Sequence, residues 1–265
     1  SRFWHHVLYD LGLVSTKEPF KKLFNQGMIL GTDGLKMSKS RGNVINPDET
    51  VDVYGTDSLR IYEMFMGPLD KGKPWSTSGL QGCSRFIKKL WGILVDDEGH
   101  ISNNITNIES DKKTNQLLHQ MIMKVSVNLD KLHFNTCVSE FMIFTNHIQK
   151  LDEINRELIK TFIILINPFM PHLAQELWEL IDENNELSYE PWPKYNKQLS
   201  QLDSIKIAVQ INGKRRSEID ISTKDSESEV ISKAKNDDKV SLFIEGKVII
   251  KEIYVHQKIV NFVIK

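Results

Sequence analysis

The sequence predicts a mainly α-helical chain that ends in a small α+β domain. Two changes of rhythm carry that expectation. From Gly79 to Pro191 the apolar residues recur with the helical period. From Ile205 onward the period drops to two, and Asn212-Gly213 supplies a two-residue hairpin turn. A third observation lies nearer the start. A glycine-punctuated loop, Gly31 to Asn43, gathers Lys36, Lys39 and Arg41 with Ser38 and Ser40.

A length of 265 residues suits one large domain or two to three small ones. Apolar residues make up 40% and charged residues 26%, as in ordinary soluble globular proteins. No apolar run is long enough to span a membrane. The start, Ser1 to His6, has no apolar stretch before a small-residue cleavage site, so no signal peptide is expected. Cys83 and Cys137 are the only cysteines and stand far apart. We expect a reduced, cytoplasmic protein with neither a disulfide framework nor a zinc knuckle. The chain begins with Ser and is read as a piece excised from a longer protein. A net charge of -1 argues against a strongly basic nucleic-acid binder. The charge is uneven, however. Ile205 to Lys265 holds 12 Lys/Arg against 9 Asp/Glu, or +3, which hints at an anionic partner there.

In order along the chain, Phe3, Trp4, Val7, Leu8 and Leu11 share one helical face that ends at Gly12. His5 and His6 point about 100° apart on that helix, so they do not converge on one ion. Met28-Ile29-Leu30 is a short apolar run. The loop that follows is expected to be mobile, because Gly31, Gly34 and Gly42 punctuate it. Its cations can neutralise a polyphosphate, and its hydroxyls and amides can hydrogen-bond the oxygens. Asn46-Pro47-Asp48-Glu49 reads as a helix start and Gly55 as its end. Asp57 is the expected N-cap of the next helix, with Leu59, Tyr62 and Met66 in one stripe widened by Phe65. Gly67-Pro68 stops it, and the turn-rich Asp70 to Pro74 precedes a domain boundary.

The helical stretch divides into stripes. Phe86, Ile87, Leu90, Trp91 and Leu94 form the first, and Leu117 to Leu132 the second. Phe134, Val138, Phe141, Ile148 and Leu151 form the third. Asp96 to Asp111 is polar and expected to be an exposed loop. Leu158 to Ile166 is largely apolar, which suits a helix buried on most sides. Asn167 to Pro171 breaks it, and Leu173, Leu177, Trp178 and Ile181 mark another helix. The pattern is that of a helical bundle.

Tyr189 to Pro193 is a proline-rich linker. Ile205, Ile207, Val209 and Ile211 alternate with polar or small residues. The return strand, Lys214 to Ile221, is expected to carry Lys214 and Arg216 on one face with Glu218 and Asp220. Ser226 to Lys235 reads as a helix, and Asp237 to Ile244 fits either a short helix or a strand. Lys247 to Val255 and Lys258 to Ile264 read as closing strands.

Lys36-Met37-Ser38-Lys39-Ser40 resembles, complete, the second signature of the class I aminoacyl-tRNA synthetases. Arg41 to Glu49 and Tyr54-Gly-Thr-Asp-Ser-Leu-Arg60 resemble the same family. Met64 to Asp70, followed by Trp75, Gly79, Gly82, Arg85-Phe86 and Trp91, is similar to the leucyl members. Pro168 to Trp178 resembles part of the anticodon-binding bundle, and Ala208 to Lys214 part of the bacterial leucyl C-terminal domain. The first class I signature, His-x-Gly-His, is absent from this sequence. In the family it lies far upstream.

The resemblance implies an end of a class I catalytic domain over 1–78, a bundle with its linker over 79–198, and a tRNA-contacting domain over 199–265. It implies a ligase that joins leucine to ATP and then to tRNA(Leu), with this chain inactive alone. Lys39, assisted by Lys36, is placed on the ATP phosphates. Lys36, Met37, Ser38, Lys39 and Ser40 together form the ATP-binding loop. Mg2+ is expected to travel with ATP, without a metal site in this chain. A monomer is expected, and no membrane partner. Lys214, Arg215 and Arg216 are either tRNA contacts or a solvated hairpin tip. A valyl or isoleucyl enzyme and a non-catalytic RNA-binding module are the competing readings.

Overall fold

The computed structural model of the chain describes residues 1–181, 186–200 and 204–265. It divides into two units, Ser1–Lys194 and Tyr195–Lys265. The first opens with α1 (Arg2–Asp10), whose apolar residues Phe3 and Trp4 stay exposed. Next, β1 (Ile29–Leu30) carries the loop at its end. Asn46 caps α2 (Pro47–Tyr54) by accepting from Asp48 N–H. Proline suits the first turn, where no intrahelical donor is needed. Helix α3 (Thr56–Phe65) follows, and then β2 (Lys73–Pro74), which pairs in parallel with β1. Trp75 is buried against Tyr62, with ring centroids 4.9 Å apart, and Ser76 N–H donates to the Tyr62 hydroxyl at 2.7 Å. The strand that presents the loop is thereby tied to α3.

Asp57 does not cap α3, contrary to expectation. Gly55 holds the cap position at φ 85°, and Asp57 is buried in the first turn, two residues on. Its carboxylate accepts from Leu173 N–H at 2.7 Å and lies 2.9 Å from His172 Nδ1. The break at Asn167–Pro171 aims the first amides of the next helix at α3, and the carboxylate goes to them. One turn along, Arg60 donates to the Pro168 carbonyl at 2.9 Å. The stripe on α3 also differs. Ile61, not Leu59 or Met66, is buried beside Tyr62.

The bundle comprises α4 (Thr77–Leu94), α5 (Lys112–Asp130), α6 (Phe134–Ile148), α7 (Arg156–Ile166) and α8 (Pro171–Ile181). Helix α7 is buried on most sides, as its composition predicts. Phe141 packs edge-on to Phe169 at 5.0 Å, and Phe144 lies 5.1 Å from Phe162. The stretch before α5 is less exposed than its polarity suggests. It holds β3 (Ile105–Thr106), paired in parallel with β4 (Ile154–Asn155), and Ile105 is buried. Asp111 caps α5 by accepting from Lys113 N–H and Thr114 N–H. The Thr114 hydroxyl lies 2.7 Å from His147 Nε2 and so joins α5 to α6.

In the second unit β5 (Ser204–Ile211) and β6 (Lys214–Ser222) form the expected hairpin. Asn212 and Gly213 take φ 50° and 77°, the left-handed turn that this dipeptide favours. Helix α9 (Glu227–Lys235) starts with a full capping box between Ser226 and Glu229. Asp237 to Ile244 resolves as a helix, α10 (Asp238–Ile244), because Asp237 accepts from Lys239 N–H and Val240 N–H. Strands β7 (Ile249–Val255) and β8 (Ile259–Ile264) complete a sheet of order β6-β5-β8-β7. The two hairpins meet along the parallel pair β5·β8. Ile207, Val209, Val230, Val240 and Phe262 lie in the core between sheet and helices.

Candidate functional site

The loop grows out of β1. Two hydrogen bonds fix its root: Lys73 N–H to the Met28 carbonyl at 3.0 Å, and Trp75 N–H to the Leu30 carbonyl at 2.9 Å. Gly27 lies so close to the Lys71 backbone that an added Cβ would sit 2.1 Å from its carbonyl carbon. A tight turn then closes, with Gly34 N–H donating to the Gly31 carbonyl at 2.9 Å and Gly31 N–H to the Leu35 carbonyl at 2.8 Å. Gly34 has φ 74°, a conformation that glycine adopts without strain.

The mobile loop expected from its glycines is in fact framed by hydrogen bonds. Asp33 Oδ1 accepts from Leu35 N–H at 3.0 Å, and Asn43 Nδ2 donates to both Asp33 oxygens at 3.1 and 3.0 Å. Asn43 Oδ1 accepts from Ser38 N–H at 2.9 Å. The Leu35 amide, and after it the Asn43 side chain, holds Asp33 below its usual carboxylate value. Gly31 serves packing rather than motion. A Cβ there would meet Asp33 Oδ1 at 2.7 Å and Asn43 Nδ2 at 2.8 Å.

Lys36 follows the turn, and Met37 and Ser38 are half-buried. Lys39, Ser40 and Arg41 form a single 3₁₀ turn, which Gly42 ends in the left-handed region. The Ser38 and Ser40 hydroxyls lie 3.2 Å apart. Both lysines are exposed, and among the described residues neither is in an ion pair. The structure thus brings Lys36, Met37, Ser38, Lys39 and Ser40 onto one short, braced segment. Two uncompensated ammonium groups and two hydroxyls can take an oxyanion-rich ligand. Sequence reading overlooked Asp33 and Asn43, although the pairs Asp33-Gly34 and Gly42-Asn43 flank the loop as turn-forming dipeptides.

The hairpin tip departs from its expected alternation. Across from it Gln210 pairs with Arg215 and Val209 with Ser217, so Arg216 is the extra residue of a β-bulge. The bulge sends Arg215 to the face of Glu218, with which it forms an ion pair, and sets Arg216 over the Phe243 ring at 4.5 Å. Glu218 and Asp220 therefore lie with Arg215, not with Arg216. Lys214 is exposed. Among the described residues no three His, Cys, Asp or Glu side chains cluster as metal ligands, and no helix is long and apolar enough to cross a membrane.

Two family models match this chain. That for class I tRNA synthetases (I, L, M and V) matches residues 1–71, and that for the anticodon-binding domain of tRNA ligases matches residues 111–231. Both describe one class of protein, the class I aminoacyl-tRNA synthetases. A leucine--tRNA ligase of Chlorobium chlorochromatii is 46% identical over the whole chain, which covers 33% of its length. A crystal structure of an Agrobacterium radiobacter LeuRS–tRNA–LeuAMS ternary complex matches with a TM-score of 0.63 and 29% identity, over 100% of this chain and 36% of that one. The chain belongs to the leucine--tRNA ligase family, and it spans about a third of the length of the curated relative it matches. The leucyl resemblance therefore displaces the valyl and isoleucyl alternatives.

Proposed function

We propose that this chain acts within a longer leucine--tRNA ligase, which activates leucine with ATP and ligates it to tRNA(Leu). The observation that carries this reading is the braced loop, with Lys36 and Lys39 exposed and, among the described residues, in no ion pair, beside the Ser38 and Ser40 hydroxyls. In amino-acid activation the leucine carboxylate attacks the α-phosphorus of ATP, and pyrophosphate leaves. Negative charge builds on the departing phosphates, and an ammonium aimed there acts most strongly in the transition state. Lys39 supplies that charge in this reading, and Lys36 assists. Ser38 and Ser40 hold phosphate oxygens, and Met37 anchors the loop between the two lysines. Mg2+ would arrive with the nucleotide.

The division into 1–78, 79–198 and 199–265 goes with this reading. The first part supplies the loop, and the other two bind tRNA. The chain alone does not catalyse activation, because it lacks the first class signature. The setting is cytoplasmic and the enzyme a monomer.

The test is Lys39→Ala in the full-length ligase. Losing one electrostatic contact to a transition state costs about a hundredfold or more in rate. Single-turnover adenylation should slow by that much, with ATP affinity changed far less. Lys39→Arg should recover only part, since a planar guanidinium does not replace a compact ammonium. A normal single-turnover rate with only weaker ATP binding would overturn the role assigned to Lys39.

A further inference from the structure

We infer that Asp33 and Asn43 are positioning residues that fix the backbone from which Lys36 and Lys39 act. The inference rests on the reading of the loop just given. The two side chains engage Leu35 N–H, the Lys36 carbonyl at 3.4 Å and Ser38 N–H. Those contacts bracket Lys36 and end one residue short of Lys39. Among the described residues, every side-chain hydrogen bond of the pair stays within residues 33–43. The brace therefore shapes this loop and supports no other element.

The chemistry of the pair is directional. Asn43 must donate to the Asp33 carboxylate and to a carbonyl, and at the same time accept from Ser38 N–H. An amide side chain does both, and a carboxylate cannot donate. Asp33 accepts from Leu35 N–H and from Asn43 together. The missing side chain at Gly31 leaves the space in which the two meet. A lysine stem has four flexible carbons, so its ammonium reaches a developing charge on target only if its root is held.

The arrangement predicts a reversal that can be tested in the full-length ligase. Asn43→Asp sets two carboxylates face to face and removes the side-chain amide donor from the brace. In Asp33→Asn/Asn43→Asp the polarity is inverted: the new amide donates to the new carboxylate, Leu35 N–H keeps an acceptor, and so does Ser38 N–H. We expect Asn43→Asp to slow single-turnover adenylation by about a hundredfold, the cost of a misplaced catalytic group, with ATP affinity changed by less than about threefold. The double exchange should return the rate to within about tenfold of the parent, a coupling that a double-mutant cycle reads directly. Melting temperature and tRNA binding should be unchanged in all three proteins. A normal rate in Asn43→Asp overturns the inference, as does a double exchange no faster than the single one, or a parallel loss of tRNA binding and thermal stability. Lys39→Ala run alongside separates the two readings. If it is slow while Asn43→Asp is normal, only the brace fails. If Lys39→Ala is itself normal, the role of the loop fails.

Discussion

Removing the Asp57 carboxylate should loosen the helical unit through a helix that Asp57 does not belong to. The carboxylate is 9% exposed and accepts from Leu173 N–H at 2.7 Å, in the first turn of α8. In Asp57→Ala that amide loses a charged acceptor in a buried setting. Such a hydrogen bond contributes about 1.5–3 kcal/mol, and a lost N-terminal cap typically costs ~1 kcal/mol. These describe one interaction, so we expect about 2–3 kcal/mol in total rather than their sum. Asp57→Asn keeps an oxygen for Leu173 and gives up only the charge, at a cost of about 1 kcal/mol. The His172 side chain is 72% exposed, and its pairing with Asp57 is worth little in water. His172→Ala should therefore shift stability by less than about 0.5 kcal/mol. All five tryptophans lie in the first unit, so tryptophan fluorescence during urea unfolding reports that unit alone. The reasoning fails if Asp57→Ala unfolds within about 0.5 kcal/mol of the parent, or if His172→Ala matches it.

Three further outcomes follow from the same structure. The Thr114 hydroxyl, and then its amide, holds Asp111 below its usual value, so the Asp111 cap contributes fully above the unfolded pKa and is lost as pH falls through the lower folded one. The stability gap between the parent and Asp111→Asn should therefore shrink as pH falls below the usual carboxylate range, measured by urea unfolding. Burial pushes the Cys83 and Cys137 thiols up to about 11. Neither should react with iodoacetamide at pH 7.5 until the unit unfolds, which mass spectrometry of the labelled protein would read. At the hairpin tip, Lys214→Ala should lower the log-log salt slope of tRNA binding by somewhat under ~1 unit. Arg216→Ala should instead cost about 0.5–1 kcal/mol of stability in the second unit, because its guanidinium rests on Phe243. An equal slope change from both would contradict the bulge geometry.

What the sequence disclosed, and what it hid, divides by distance along the chain. The Asn212-Gly213 turn, the Asn46 cap and the buried run Leu158 to Ile166 obey rules that span a few residues, and they appear where those rules put them. The Lys36 to Ser40 segment stands out through its likeness to a class I signature, since short lysine and serine loops are common on protein surfaces. Asp57 was misplaced because its partner, Leu173, lies 116 residues away, and nothing local announces it. Arg216 was assigned to the wrong neighbours because one bulge inverts the alternation beyond it. Asp33 and Asn43 are ten residues apart, close enough to have been paired. The glycines beside them favour motion, and the two side chains restrain it. Asp237 to Ile244 stayed ambiguous because a short apolar run carries no period of its own.

The strand order of the second unit bears on how it comes into being. β8 follows the other three strands in the chain, yet it lies in the interior of the sheet, bonded to β5 on one side and β7 on the other. The β5–β6 hairpin can form early, but Val260 and Phe262, both fully buried, are still missing from its apolar face. An emerging chain must keep that face uncovered through the synthesis of α9, α10 and β7. The wait exposes strand edges of the kind that pair with other chains. A translation stop between Val255 and Ile259 would make the exposure permanent, leaving two strands on one edge and a lone third with nothing between them. Quality control in the cell would then meet an open sheet rather than a slightly shortened domain.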